Sequence, residues 1–314
     1  MPDINQPLDP GMLVFIQALF DKIPAGSENL PLSQQRTEWD AVCAAFRSPR
    51  PDGIVARDII ANAVPCRLFH PKQGNNFPAV IYGHGGGWVL GSPETHDDMC
   101  AELADAAQCA VLLVDYRLAP EHPHPAQLED SLKVWRWVRE SGAAHAIDPT
   151  RIIAAGDSAG GQMSAALAIT LRDLGLPQLT GMLLIYPVLG ADMHTASYER
   201  NTNAPCLSRD EMKFYLESFL GPEGSPNWRD EKAIPNLLQD ASGLPPAFIS
   251  VAAHDPLHDD GVIFHEKLMA AGVASTLRRE PQLAHSYMRA RHHSKPAMKS
   301  FKAIGAALRV MARG

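Results

Sequence analysis

From about residue 55 the chain alternates short β-branched apolar runs with longer stretches whose apolar residues recur every three or four positions. The short runs predict strands at VPCRLFH (64–70), AVIYG (79–83), AVLLVDY (110–116), RIIAAG (151–156), MLLIYP (182–187), AFISVA (247–252) and STLRRE (275–280). The longer stretches predict helices at HDDMCAELADAA (96–107), AQLEDSLKVWRWVRE (126–140), GGQMSAALAITLRDL (160–174) and DDGVIFHEKLMAAG (259–272). Strands alternating with helices place the chain in the α/β class, with a parallel sheet covered on both faces. Several inner runs are apolar nearly throughout, as burial on two sides requires.

Two regions break the alternation. Residues 1–50 contain two helical segments and no strand pattern, and residues 190–230 interrupt the rhythm between two strands. Both are expected to fold together as a lid above the sheet. The run GMLVFIQALF (11–20) lacks the preceding basic residues of a signal peptide and reads as an amphipathic helix lying on the protein. No apolar run reaches the ~18 residues that a membrane span needs.

Composition narrows the choice of function. Of 314 residues, 46% are hydrophobic and 20% charged, and the net charge is −7 without a basic run. That balance disfavours nucleic acid and anionic membrane as partners. The five cysteines, Cys43, Cys66, Cys100, Cys109 and Cys206, are odd in number and widely spaced. Neither a disulfide framework nor a zinc site is expected, and a reducing cytoplasm fits.

The candidate chemistry begins at Ser158. The pentapeptide Gly156-Asp157-Ser158-Ala159-Gly160 is G-x-S-x-G, directly after an apolar strand and directly before a helix. In a nucleophile elbow the serine backbone is strained, so its neighbours must be small, and the turn lifts the hydroxyl above the sheet. The N–H of Ala159 would then lie at a helix N-terminus, where the dipole favours negative charge. The alternative is an ordinary strand-to-helix loop.

A second loop, His84-Gly85-Gly86-Gly87, follows the strand at 79–83. Three successive glycines cost conformational entropy, so a reason for them is expected. Backbone N–H groups of this loop, joined by that of Ala159, would form an oxyanion hole. A phosphate cradle is disfavoured by the missing G-x-G-x-x-G and GK[ST] patterns.

A serine nucleophile needs a base and an acid to orient it, here expected in the order Ser, Asp, His. Asp255 follows the strand at 247–252, and His285 follows the last strand. Asp259 and Asp260 read instead as the first turn of the next helix. The rival bases His292 and His293 fall in a basic stretch that reads as the start of a solvated helix.

Taken together, HGGGW (84–88), DYRLAPEHPHPA (115–126) and GDSAGG (156–161) resemble the hormone-sensitive lipase-like family of α/β-hydrolases, the bacterial family IV carboxylesterases. The resemblance spans about residues 55–314. It implies an α/β-hydrolase fold with a mostly parallel eight-stranded sheet, helices on both faces and a helical cap. Residues 1–50 would be the first part of that cap, 51–314 the catalytic domain, and about 190–230 a second cap segment. The resemblance points to Ser158, Asp255 and His285 as the triad. Gly86, Gly87 and Ala159 would be the oxyanion donors, with His84 and Gly85 shaping their loop. Gln282 and Tyr287 depart from the family, which has glycine and phenylalanine there.

The expected reaction is two-step acyl transfer on a small-molecule ester, with no cofactor or metal required. A short- to medium-chain acyl group is expected, with Trp88 and Asp157 as candidates for the pocket wall. Amidases and lactonases use the same triad and stay open as alternatives. A non-catalytic binding protein on this fold is disfavoured by the retained His285, and epoxide chemistry would prefer aspartate at the elbow. The strand at 275–280 would be a sheet edge, and the family resemblance allows its pairing into a homodimer.

Overall fold

The computed structural model describes residues 6–313. Its centre is one eight-stranded sheet. The strands are β1 (Ile54–Ala61), β2 (Val64–Pro71), β3 (Phe77–Gly83), β4 (Ala110–Val114), β5 (Ile147–Asp157), β6 (Gly181–Ile185), β7 (Ala247–His254) and β8 (Ser275–Ala284). Their order is β1-β2-β4-β3-β5-β6-β7-β8. β2 runs antiparallel to both β1 and β4, and the other pairings are parallel. β3, β4 and β6 are buried along their whole length, which explains their unbroken apolar sequence.

The helices are α1 (Pro10–Phe20), α2 (Leu32–Ala44), α3 (Pro93–Ala107), α4 (Ala126–Ser141), α5 (Ala159–Asp173), α6 (Ala196–Arg200), α7 (Arg209–Leu220), α8 (His258–Ala270) and α9 (Lys295–Met311). Two apolar cores form on the sheet. One joins Leu112, Ile152 and Leu184 to Val134 of α4, Leu167 of α5 and Phe264 of α8. The other joins Val80, Leu113 and Leu183 to Leu103 of α3 and Ile304 of α9.

The seven strands expected from the sequence are present, and β1 is an eighth that the apolar pattern did not reveal. Its sequence, IVARDIIA, carries Arg57 and Asp58 mid-strand, where both are exposed at this edge of the sheet. The stretch around His292 also differs from expectation. Residues Tyr287–His292 form a 3₁₀ turn in which Arg291 is buried, paired with Asp98 and Glu102. α9 then buries Phe301, Ile304 and Leu308, so it is packed on one face rather than solvated throughout.

β3 and β5 are neighbours although β4 lies between them in sequence, so the chain changes direction across the sheet at this point. Crevices at the carboxyl ends of such strands are where open α/β sheets bind ligands. Gly83 pairs with Gly156 in register, so the loop from 84 and the turn at 158 leave the sheet side by side. α5 crosses β3 so closely that a Cβ on Gly160 would lie 1.8 Å from the Gly83 carbonyl oxygen. Above this crevice sit α1 and α2 from the N-terminal region and α7 from the insertion after β6.

Candidate active site

β5 runs directly into α5, and Ser158 is the hinge between them, at φ +56° and ψ −118°. A non-glycine residue there is strained, and the surrounding contacts must hold it. They are backbone bonds: Ser158 N–H donates to the Ile185 carbonyl at 2.9 Å, and the Ser158 carbonyl accepts from Gly161 at 3.0 Å and Val188 at 3.2 Å. The hydroxyl is thereby aimed away from the sheet.

His285 follows β8 and turns its ring toward that hydroxyl. Its Nε2 is 3.0 Å from Ser158 Oγ, and its Nδ1 is 2.7 Å from Asp255 Oδ2. All three side chains are buried. The other Asp255 oxygen accepts the Leu257 N–H at 2.9 Å, which fixes the carboxylate on the turn after β7. Residues distant in sequence thus converge in the order expected. Asp259 and Asp260 lie in the first turn of α8, as expected, and Asp260 accepts the N–H groups of Leu189 and Gly190 at 2.9 and 2.8 Å. His292 pairs with Glu102 at 2.9 Å, and His293 packs against Phe15 and Phe46.

The glycine loop leaves β3 with Gly86 at φ +126° and Gly87 at φ +59°. Among the described residues, no backbone carbonyl accepts from Gly86, Gly87 or Ala159; Gly86 and Gly87 line the cavity over Ser158, and Ala159 follows Ser158 as the first residue of α5. Gly85 is different. Its N–H donates to Asp157 Oδ1 at 3.1 Å, so it anchors the loop. His84 stacks on Tyr116 with 4.2 Å between ring centroids, and burial, with His96 beside it, takes its pKa down to about 3. It is a neutral buttress.

Asp157 borders the cavity, but its oxygens face inward rather than toward a substrate. They meet Gly85 N–H, Tyr82 Oη at 3.0 Å, Tyr186 Oη at 3.3 Å and His96 Nε2 at 3.2 Å. Burial alone would raise this carboxyl. His96, Arg289 and the Tyr82 hydroxyl outweigh it and hold the group well below the usual carboxylate range. The expectation that Trp88 walls the pocket is also corrected. Trp88 is fully buried, stacks on Phe219 at 4.0 Å, and donates its indole N–H to Gln162 at 3.1 Å. It does not line the cavity.

That cavity, about 410 Å³, opens above Ser158. Its walls include Leu19, Trp39 and Val42 from the N-terminal region and Leu207, Met212 and Tyr215 from the insertion. The apolar stretches at 11–20 and 212–220 serve both as core and as cavity wall: Met12, Phe15 and Ile16 are core, whereas Phe20 and Tyr215 face the cavity. Cys206 lines it too, and burial pushes its thiol up to about 12, which leaves it inert at neutral pH. The family departure at Tyr287 is accommodated: its hydroxyl meets Ser250 Oγ at 2.7 Å and Ser300 Oγ at 3.2 Å. Sequence reasoning did not single out Tyr215, His96 or Arg289. Only the apolar period of 212–220 hinted at the first, and no local pattern marks the other two.

Comparison with known proteins agrees with this geometry. A family model described as alpha/beta hydrolase fold matches residues 80–289. The chain is 46% identical over 231 residues to carboxylesterase NlhH of Mycobacterium tuberculosis H37Rv, covering 72% of this chain and 71% of that protein. It is 32% identical over 300 residues to ethyl acetate hydrolase of Pseudomonas putida, covering 90% and 92% of the two chains. The solved structure of a thermostable esterase from Pseudomonas putida ECU1011 superposes with a TM-score of 0.90 at 27% identity, covering 98% of each chain.

Proposed function

We infer from membership of the hormone-sensitive lipase-like family of α/β-hydrolases, to which this chain belongs, that Ser158, His285 and Asp255 perform acyl transfer. The chain is an ester-hydrolysing serine hydrolase. The observation that carries the assignment of roles is the pair of contacts made by one imidazole, 3.0 Å to Ser158 and 2.7 Å to Asp255.

Ser158 Oγ attacks the ester carbonyl carbon as its proton passes to His285 Nε2. Asp255 accepts from Nδ1–H, which fixes the tautomer and stabilises the imidazolium. The carbonyl oxygen becomes an oxyanion among the amides of Gly86, Gly87 and Ala159, where each donor is worth ~10²–10³ in rate. The tetrahedral intermediate collapses, and His285 gives its proton to the departing alcohol. Water, deprotonated by His285, then attacks the acyl-enzyme and releases the carboxylic acid.

The substrates proposed are esters with short to medium acyl chains. Support comes from a cavity of about 410 Å³ with Tyr215 pressed on the glycine loop, and from similarity to a protein named for ethyl acetate hydrolysis. Residues 1–50 and about 190–230 are read as the two parts of a cap over a catalytic domain of residues 51–314. No described helix is long and apolar enough to cross a membrane. A cytoplasmic location is proposed from the free cysteines, and a homodimer from the exposed position of β8 at the sheet edge. A p-nitrophenyl ester series tests the substrate assignment: a maximum at acetyl to hexanoyl is expected, and a maximum at palmitoyl overturns it. Ser158→Ala should bind these esters and lose nearly all turnover.

A further inference from the structure

Arg289 lines the cavity from the 3₁₀ turn that follows β8, four residues after His285. Its guanidinium lies over the Trp39 ring, 5.5 Å from the centroid, and donates from Nη1 to the Thr95 carbonyl at 2.7 Å. Nη2 is 3.3 Å from His96 Nε2. A guanidinium carries five N–H donors. Even with the His96 contact counted as a hydrogen bond, no more than two of them have a partner among the described residues. Nε–H has none and is not sealed from the cavity, and no carboxylate of a described residue is within salt-bridge distance.

Arg291, two residues further on, shows how this fold saturates an arginine that only supports structure. Its Nε and Nη2 donate to Glu102, Nη2 also meets Asp98, and Nη1 donates to the Met288 carbonyl at 3.3 Å. Polar groups inside proteins are nearly always paired, and one that is not calls for a reason. For Arg289 the reason lies in its place: the unused donors are at the wall of the space that receives the ester. The Trp39 ring and the Thr95 carbonyl fix the guanidinium plane, so an incoming acceptor meets donors already oriented. The Gly85 N–H is also 3.3 Å from His96 Nε2, which puts the guanidinium within two hydrogen-bond lengths of the glycine loop.

The rest of the lining decides the charge of what binds. Glu28, Glu38, Asp157 and Glu211 border the cavity, and Arg289 is the one arginine or lysine among the described residues that does so. A carboxylate on the substrate would add to that excess of negative charge. A neutral carbonyl or ether oxygen accepts charge-assisted N–H bonds without adding to it. We propose that Arg289 is a specificity-determining residue: its free N–H groups bind a second, uncharged oxygen acceptor on the substrate, so the preferred substrates are oxo-esters and diesters with an otherwise apolar body. The inference rests on acyl transfer by Ser158 in this cavity and deepens it by naming the substrate class.

The test compares matched esters in wild-type protein and Arg289→Met. The acyl pair is p-nitrophenyl 4-oxopentanoate and p-nitrophenyl pentanoate; the alcohol pair is 4-oxopentyl acetate and pentyl acetate; p-nitrophenyl hydrogen succinate supplies an anion. kcat/KM is measured for each, and the quantity read is the oxo-to-plain ratio. Comparing that ratio between the two proteins cancels intrinsic reactivity and any general damage to the site, which a merely structural arginine would inflict on both esters alike. In at least one pair the ratio should fall about tenfold or more in the variant, chiefly through KM, as expected for losing a hydrogen bond to a charged donor. Arg289→Lys, which keeps the charge but not the planar fork, serves if the first variant fails to fold, and its ratio should fall at least about threefold. An unchanged ratio in both pairs overturns the inference, and so does a larger loss on the succinate than on the oxo-esters. Normal hydrolysis of the plain esters with an unchanged ratio defeats this inference alone. Wild-type protein that hydrolyses neither plain ester defeats the acyl-transfer reading, and the inference falls with it.

Discussion

Tyr215 and Gly87 are in contact: a methyl group added to the Gly87 Cα would stand 2.3 Å from the Tyr215 ring. The contact joins α7 to the loop with the proposed oxyanion donors, at a position whose φ of +59° already disfavours any side chain. Gly87→Ala is therefore expected to lose about 1–3 kcal/mol of stability. Its kcat should fall by ~10² or more as the amide is displaced. Tyr215→Ala removes the ring and should shift the preferred acyl chain to greater length with little change in kcat for acetate. Urea melts and an ester series check both; a Gly87→Ala enzyme of normal activity, or an unshifted length profile, counts against this contact.

Asp255 orients His285 by accepting its Nδ1 proton. In Asp255→Asn, the carbonyl oxygen can keep the Leu257 N–H, and the amide NH₂ then faces Nδ1. The ring must take the opposite tautomer, with its proton on Nε2, where it cannot accept from Ser158. A fall of ~10⁴ in kcat is expected, with KM within a few-fold and the fold intact. A loss of less than tenfold in steady-state assays would remove Asp255 from this role.

Trp88 belongs to the core. Trp88→Phe gives up the indole hydrogen bond to Gln162 while keeping an aromatic ring against Phe219. It should cost about 1–3 kcal/mol and leave KM for short esters unchanged. A rise in KM of tenfold or more at an unchanged melting temperature would return Trp88 to the substrate wall.

The strands and the two turns were legible because each is local, and Asp255 and His285 could be singled out because each stands just after a strand, in the order Ser, Asp, His. Apolar runs reveal buried strands, and G-x-S-x-G and HGGG specify backbone turns directly. β1 was not legible because it lies at the sheet edge, where the exposed Arg57 and Asp58 break its apolar run. Trp88 was misplaced because an aromatic next to an active-site loop looks alike in sequence whether it faces in or out; the stack on Phe219, 131 positions away, decides it. Asp157 looked available for the same reason. Only the fold brings Tyr82, Tyr186 and His96 around it.

Asp260 supplies a pH signature. Burial, opposed by the amides of Gly190 and Leu189, raises its pKa to about 7. A carboxyl whose folded pKa is raised binds protons more tightly when folded, so its contribution to stability is full below the unfolded value of about 3.9 and is lost as pH climbs to about 7. Asp260→Asn removes that titration. Relative to the variant, wild-type protein should lose stability steadily between about pH 4 and 7 and then level off. Urea melts across this range check it; a constant difference between the two proteins would show that Asp260 does not titrate there.

The central claim is that one activated oxygen, Ser158 Oγ, becomes covalently bonded to the substrate acyl group. Peptide mass mapping after reaction with a fluorophosphonate tests it most directly. The expected result is one equivalent of phosphonyl group on the peptide containing Ser158, with activity lost in step, and labelling slowed by orders of magnitude in His285→Ala. Label on any other residue, or full activity in protein whose Ser158 is completely modified, would contradict it.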